Sequence, residues 1–448
     1  MKIALLSPKG PLYRHRGGIF RRSLRYAPLT LPTLASLVPP ELGAEIALYD
    51  EGIEDIPDDL QADLVGITVI TGSAPRSYQI ADRLRARGIP VVLGGPHPTL
   101  VPDDAAPHAD AVVTGYAEDT WPELLRDFVA GRMRARYDMS ATLSLADRPL
   151  PRKDLLNPKH YATTAVFEAT RACVHKCEFC VVPSAWGRKP FHKPVEDVVR
   201  EIRAQNTRKA LFVDLNLIAD PPYAKALFDA LTPLGLRWFG LATSLVAHDE
   251  DLLDRMVRSG CKGLLIGFET LSRSALSTSN KAFNDPDDYA ALVAKLHARG
   301  IAIQGTFVFG MDHDTPDVFA DTVRFCVDAA IDLPRFAVLT PFPGTALYQR
   351  FEREGRILDR NWEKYDGQHV VFQPKQLSPA ELLAGHERAW KDVYSFANIT
   401  RRLSRARQML QIAIPANLGY RFYAHHLHTH YTCDTFAGYG TDRERVAS

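Results

Sequence analysis

Twice along the chain, short apolar runs alternate with amphipathic stretches, and this rhythm restricts the fold more than any single residue does. The first series comprises Ile3–Leu6, Leu31–Leu42, Ile46–Tyr49, Leu64–Ile70, Ala74–Arg87, Val91–Leu93 and Ala111–Val113. Continuous short apolar runs suit strands buried on both faces, and the amphipathic segments between them suit crossover helices, so a doubly wound parallel sheet is predicted. The second series begins near Tyr161. It offers strands at Thr164–Ala169, Leu211–Leu217, Trp238–Thr243, Gly263–Phe268, Ala302–Phe309 and Phe336–Leu339, with a helix at Val195–Gln205. Six or so βα units predict a complete or partial parallel barrel, whose chemistry belongs at the carboxyl ends of its strands.

Between the two series the periodicity fades, and Pro149, Pro151 and Pro158 fall among scattered charges, as in an extended connector. Past about Gln376 helical patterns take over, with a helix-start signal from Ser378 to Glu381 and a basic amphipathic stretch at Arg401–Leu410. The expected architecture is α/β: a doubly wound sheet over 1–135, a linker over 136–160, a barrel over 161–375 and a small helical region over 376–448. A chain of 448 residues is long enough to need more than one core.

Lys and Arg number 54 against 53 Asp and Glu, a formal net charge of +1, so no global field draws the chain to nucleic acid or to an anionic membrane. A small-molecule or peptide substrate is favoured. The opening apolar run is too short for a signal-peptide core and no stretch is long enough to be a transmembrane segment, so a cytoplasmic protein is expected. Six cysteines do not suggest a disulfide scaffold, and three of them fall within eight residues, which points to metal. Cys261 and Cys326 read as core thiols.

The three are Cys173, Cys177 and Cys180, a C-x-x-x-C-x-x-C loop directly after a predicted strand. Three thiolates can hold three irons of a cubane and leave the fourth open. A zinc site that recruits His175, or three plain buried thiols, are the alternatives. The loop resembles that of the radical S-adenosylmethionine (SAM) superfamily. That resemblance implies a [4Fe-4S] cluster whose open iron takes SAM, and reductive cleavage of SAM to a 5′-deoxyadenosyl radical. It implies Phe179 near the adenine. Asp214 and Asn216 match a segment in which relatives carry D-D-N, with Leu215 in place of the second acid. Glu269, in a G-F-E-T strand end, would lie near the SAM ribose or amino group, and Gln304 and Pro341 open later SAM-side segments. Solvated strand-end carboxylates and simple turns are the duller readings. An external electron donor such as flavodoxin or ferredoxin is implied as well.

The N-terminal series resembles the Rossmann-like cobalamin-binding domain of cobalamin-dependent radical SAM enzymes, through Gly94, Gly95, Pro96, His97 and Thr99 in particular. By that resemblance Thr68, Thr71, Gly72 and Ser73, at the preceding strand end, and Gly115, Tyr116 and Glu118, at the next, also face cobalamin. The D-x-H-x-x-G motif is absent, so the lower axial site would lack that histidine; His97, before a proline, reads better as a turn residue than as a ligand. A flavodoxin-like domain with no cofactor is the alternative. The stretch from Gly355 through Trp362, Tyr365, Asp366 and His369 to Phe372 resembles the subgroup with hopanoid methylases and anaerobic porphyrin cyclases. Methylation of an unactivated carbon, through the radical and methylcobalamin, is the function implied first. Cyclisation or oxidative rearrangement with both cofactors, and a non-catalytic sensor, are the alternatives. Two further segments stay open: Arg14–Arg25, a basic loop over the substrate entrance or merely solvated, and His425–His430 with Cys433, a metal tract or exposed helix residues.

Overall fold

The computed structural model describes residues 1–10 and 26–427. The segment Arg14–Arg25 and the tract from His428 through Cys433 lie outside the described residues. Six strands form the first sheet: β1 (Lys2–Ser7), β2 (Glu45–Asp50), β3 (Leu64–Thr68), β4 (Val91–Gly94), β5 (Ala111–Thr114) and β6 (Arg136–Asp138). Their order is β2-β1-β3-β4-β5-β6, all parallel. Successive side chains of one strand feed two different cores. Ala4 and Leu6 join the helix Ala74–Arg85 through Ile80, Ala81 and Leu84, while Ile3 and Leu5 join Leu31, Trp121, Leu124 and Leu125 on the other face. Burial on both faces is why these strands read as runs and not as alternation.

The stretch after Ala130, expected to run as a connector, contributes β6, which extends the sheet by pairing with β5. Only Tyr137 of its three residues is buried, and so short an edge strand carries no readable period.

The second sheet contains β7 (Val166–Phe167), then, beyond a small antiparallel ladder of β8 (Thr170–Arg171) and β9 (Phe191–His192), β10 (Lys209–Phe212), β11 (Arg237–Ala242), β12 (Cys261–Glu269), β13 (Ala302–Phe309) and β14 (Leu333–Val338). Its order, β14-β13-β12-β11-β10-β7, is parallel throughout and leaves β7 and β14 unpaired with each other, so this is a partial barrel. Here burial does alternate. Phe307, Phe309, Phe336 and Val338 pack outward under the helices, while Gln304, Leu333 and Arg335 form a half-exposed inner wall. Cys261 and Cys326 are fully buried in the outer core.

The C-terminal helices, Pro379–Val393, Phe396–Arg405 and Leu410–His425, share the core of the barrel instead of standing apart from it. The first opens with the capping box of Ser378 and Glu381. Trp390 Nε1 and Tyr394 Oη donate to the carbonyls of Phe336 (3.2 Å) and Pro334 (2.7 Å). Buried Arg402 donates to the carbonyls of Ile331 and Asp332 (2.9 Å each) and of Val393 (3.1 Å), and to Asn417 Oδ1 (2.8 Å). Among the described residues no helix is long and apolar enough to cross a membrane.

Candidate active site between the two sheets

The cysteine loop leaves β8 at its carboxyl end through Ala172, whose φ of +64° turns the chain sharply. Cys173, Cys177 and Cys180 are all half-buried. Several bonds fix the loop: Glu178 N donates to Ser279 O (3.0 Å), Leu347 N donates to Glu178 O (3.1 Å), and Arg350 grips the Glu178 carboxylate with Nε (2.7 Å) and Nη2 (3.1 Å). Burial pushes the Cys177 thiol up and that of Cys180 up to about 11, so a metal rather than the solvent has to deprotonate them. His175, which a zinc reading would recruit, stacks on Phe283 with ring centres 3.9 Å apart. Among the described residues no three His, Cys, Asp or Glu side chains group around one point. Thiolates of a cubane each bind their own iron and need not converge, which suits this loop.

The SAM-side residues divide. Phe179, within the loop, lines a small pocket together with Ala275, Met311, Leu339 and Leu347. Asn216 Nδ2 stands 3.9 Å from Cys173 Sγ, and its buried Oδ1 has no partner, an acceptor open to an ammonium or hydroxyl. Glu269 ends β12 in a left-handed conformation, φ +67°, as an ion pair with Lys281. Asp214 is fully buried and accepts from the amides of Ala169 (3.0 Å) and Thr170, tying the loop's base to its neighbouring strand. Pro341 is buried in the turn after β14. Gln304 is not brought to the loop. It sits at the third position of β13, near the opposite end of the barrel, and donates to Tyr420 Oη (3.2 Å).

Facing the loop is a cavity of about 1290 Å³, counted to its open mouth, between the two sheets. Of the residues expected at cobalamin, Thr68, Gly94, Gly95, Pro96, Gly115, Tyr116 and Glu118 line it. Thr71, Gly72, Ser73, His97 and Thr99 do not. Thr99 Oγ1 instead donates to Gly95 O (2.7 Å) and accepts from Gly115 N (2.9 Å), locking the two glycine turns together. Ser73 Oγ donates to Ile70 O (3.1 Å), closing the short turn that holds Thr71 and Gly72. His97, in the short helix Pro96–Leu100, is fully buried with its two ring nitrogens at Thr71 Oγ1 (3.3 Å) and Asp104 Oδ2 (3.0 Å). Gly95 has φ +107°, and a Cβ there would stand 2.9 Å from both N and O of Val69, so only glycine lets the turn close on β3. With Gly94, Gly95 and Gly115 offering bare backbone along one wall, the cavity has the size for a large, flat group.

Three residues that sequence reasoning missed complete the seam. Arg171 pairs with Glu118 and with Glu168 (2.7 Å). It lies 4.9 Å above the Tyr116 ring, which Trp186 also covers, stacked with centres 5.4 Å apart. Tyr116 Oη accepts from Ala172 N (3.0 Å), so cradle and cysteine loop are hydrogen-bonded to each other. Glu168 and Arg171 flank the cysteines in sequence, and that proximity was the available signal.

Comparison with known proteins places both halves. Residues 167–326 match the radical SAM superfamily, 41–125 the B12 binding domain, and 345–428 a domain of unknown function, DUF4070. The class is thus an enzyme that joins a SAM-cleaving iron–sulfur barrel to a cobalamin sheet, with [4Fe-4S], SAM and cobalamin as its cofactors. Bacteriochlorophyllide d C-12(1)-methyltransferase of Chlorobaculum tepidum is 33% identical over 388 residues, covering 84% of each chain. An anaerobic magnesium-protoporphyrin IX monomethyl ester cyclase of Cereibacter sphaeroides is 24% identical, covering 73% of this chain and 59% of its own. The chain belongs to the cobalamin-dependent radical SAM superfamily. In fold it is similar to the methyltransferase TsrM of Kitasatospora setae (TM-score 0.64, 19% identity, 79% of this chain and 75% of that one). It is also similar to the enzyme OxsB (TM-score 0.67, 14% identity, 95% and 71%).

Proposed function

We propose that the protein methylates an unactivated carbon of a small molecule, a tetrapyrrole carboxylate being the first acceptor to test. The observation that carries this reading is the shared cavity. Gly94, Gly95 and Gly115 form one wall and Glu168, Arg171 and Leu215, which flank the cysteine loop and Asn216, form the other. When bound, the cluster with SAM supplies a hydrogen-abstracting radical and cobalamin supplies a methyl group. The chain's own residues hold these in register. Cys173, Cys177 and Cys180 hold the cluster; Phe179, Asn216 and Glu269 bound the SAM side; the glycine turns cradle the corrin. Ile70, Val213, Leu215 and Trp186 give the cavity apolar walls that keep water from a reactive intermediate. Arg171, fixed by two carboxylates, holds both walls at one spacing, which serves proximity.

Exposed Lys176, Arg188 and Lys189 beside the cysteine loop give an acidic one-electron donor, flavodoxin or ferredoxin in kind, a place to dock. Arg188 Nε donates to Val174 O within that loop (3.3 Å). The methyltransferase relative supports the choice of acceptor, and the cyclase relative sets the competing reading. Anaerobic incubation with a chlorophyllide-type acceptor separates them by product mass: gain of one CH₂ supports methyl transfer, and a new ring without added carbon supports cyclisation.

A further inference from the structure

From Val393 to Leu427 the sequence contains no aspartate or glutamate, yet it carries Arg401, Arg402, Arg405, Arg407 and Arg421. The rest of the chain must then be slightly acidic, since the whole balances 54 cationic against 53 anionic side chains. This stretch forms the last two helices. Arg402 is consumed as the buried staple described above. Arg401, Arg405 and Arg407 are exposed. Arg405 and Arg407 donate only to backbone carbonyls, those of Asp328 (3.1 Å) and Ser404 (3.2 Å). On the preceding helix Glu387 is paired with Lys391 (3.8 Å).

The same stretch is apolar where it meets water. The helix Leu410–His425 buries Ala413, Asn417 and Ala424, and turns Ile414 and Leu418 outward, 48% and 49% exposed. Residues four apart share one helix face. Phe396, at the start of the neighbouring helix, is 62% exposed. Arg421 lies 4.0 Å above the Phe396 ring, which brings one arginine directly onto the exposed apolar area. Among the described residues nothing covers this outer apolar face. Met409, Ile412 and Ala413 also wall a cavity of about 880 Å³, counted to its open mouth, on the inner face of the barrel, so this segment serves both the surface and the barrel interior.

We propose that this face docks on an anionic lipid bilayer. Ile414, Leu418 and Phe396 would sink to the acyl boundary while Arg401, Arg405 and Arg407 pair with phosphate headgroups, the combination an interfacial helix uses. The absence of any carboxylate along the stretch is the charge complement that an anionic surface requires. Aliphatic side chains at its centre favour lipid over a nucleic acid.

The test is co-sedimentation of the full-length reconstituted protein with vesicles of phosphatidylcholine, alone or mixed with an equal part of phosphatidylglycerol. Association with the mixed vesicles only, weakening as salt is raised, is expected. Arg401→Glu with Arg405→Glu should weaken it by at least about tenfold, and Ile414→Glu with Leu418→Glu should weaken it likewise, both with iron–sulfur absorbance retained. If the apolar pair loses that absorbance, the arginine pair, outside the packed core, carries the test. No association, equal association with neutral vesicles, or arginine variants that bind unchanged would overturn the proposal. So would light scattering that finds a dimer which Ile414→Glu with Leu418→Glu dissociates, since a second copy would then cover the face.

Discussion

Asp214 fixes the base of the cysteine loop and keeps its buried Oδ2 without a hydrogen-bond partner among the described residues. Its carboxylate accepts from two backbone amides at the base of the cysteine loop, and its fully buried position pushes the carboxyl up to about 7, with the Glu168 charge adding to the effect. The folded chain therefore retains a proton that the unfolded chain, at the ordinary value of 3.8, gives up earlier. Stability from this group is full below the unfolded value and is lost as pH rises through the folded one. Thermal melting of Asp214→Asn against pH should show a flatter profile than wild type between about pH 4 and 7. An unchanged slope would place the pH dependence in another group. The sequence offered Asp214 and Gln304 as equals at strand ends. Register separates them: β13 begins at Ala302, so Gln304 sits at the wrong end of its strand. Local patterns give the strand but not how far along it the site lies.

At the scale of elements, the cysteine loop and the glycine turns were legible because their chemistry is short-range: three thiols within eight residues, and a backbone that only glycine can follow. The Arg171–Glu118 seam was not, because its partners stand 53 residues apart and meet only once both sheets exist. The attachment of the C-terminal helices to the barrel is hidden from the sequence for a similar reason. What ties them to the barrel is buried Arg402, whose two terminal nitrogens donate to three carbonyls and Asn417. Arg402→Ala removes a buried donor from the carbonyls of Ile331 and Val393 and from Asn417 Oδ1, while Asp332 O keeps the Asn417 amide, with a loss of about 3–5 kcal/mol expected from urea unfolding. Hydrogen exchange should localise the loosening to 396–427. A loss below about 1 kcal/mol would mean that apolar packing alone holds the helices.

Over the whole molecule, two sheets built on one βα rhythm face each other across a shared cavity, and the pairing of Arg171 with Glu118 fixes their spacing. Arg171→Met strands Glu118 without its partner, with one of its oxygens already unsatisfied. We expect the variant to lose bound cobalamin on gel filtration at least about tenfold more readily than wild type, while iron content holds, because a buried charge left unpaired drives the walls apart. Equal retention would show that the glycine turns suffice.

The central claim is that radical formation and methyl donation share this cavity. Its most direct test is anaerobic incubation of the reconstituted, reduced protein with cobalamin and SAM labelled in the methyl group, following both fates of SAM by mass spectrometry. The account predicts 5′-deoxyadenosine together with transfer of the label to bound cobalamin; 5′-deoxyadenosine with no label on cobalamin would contradict it.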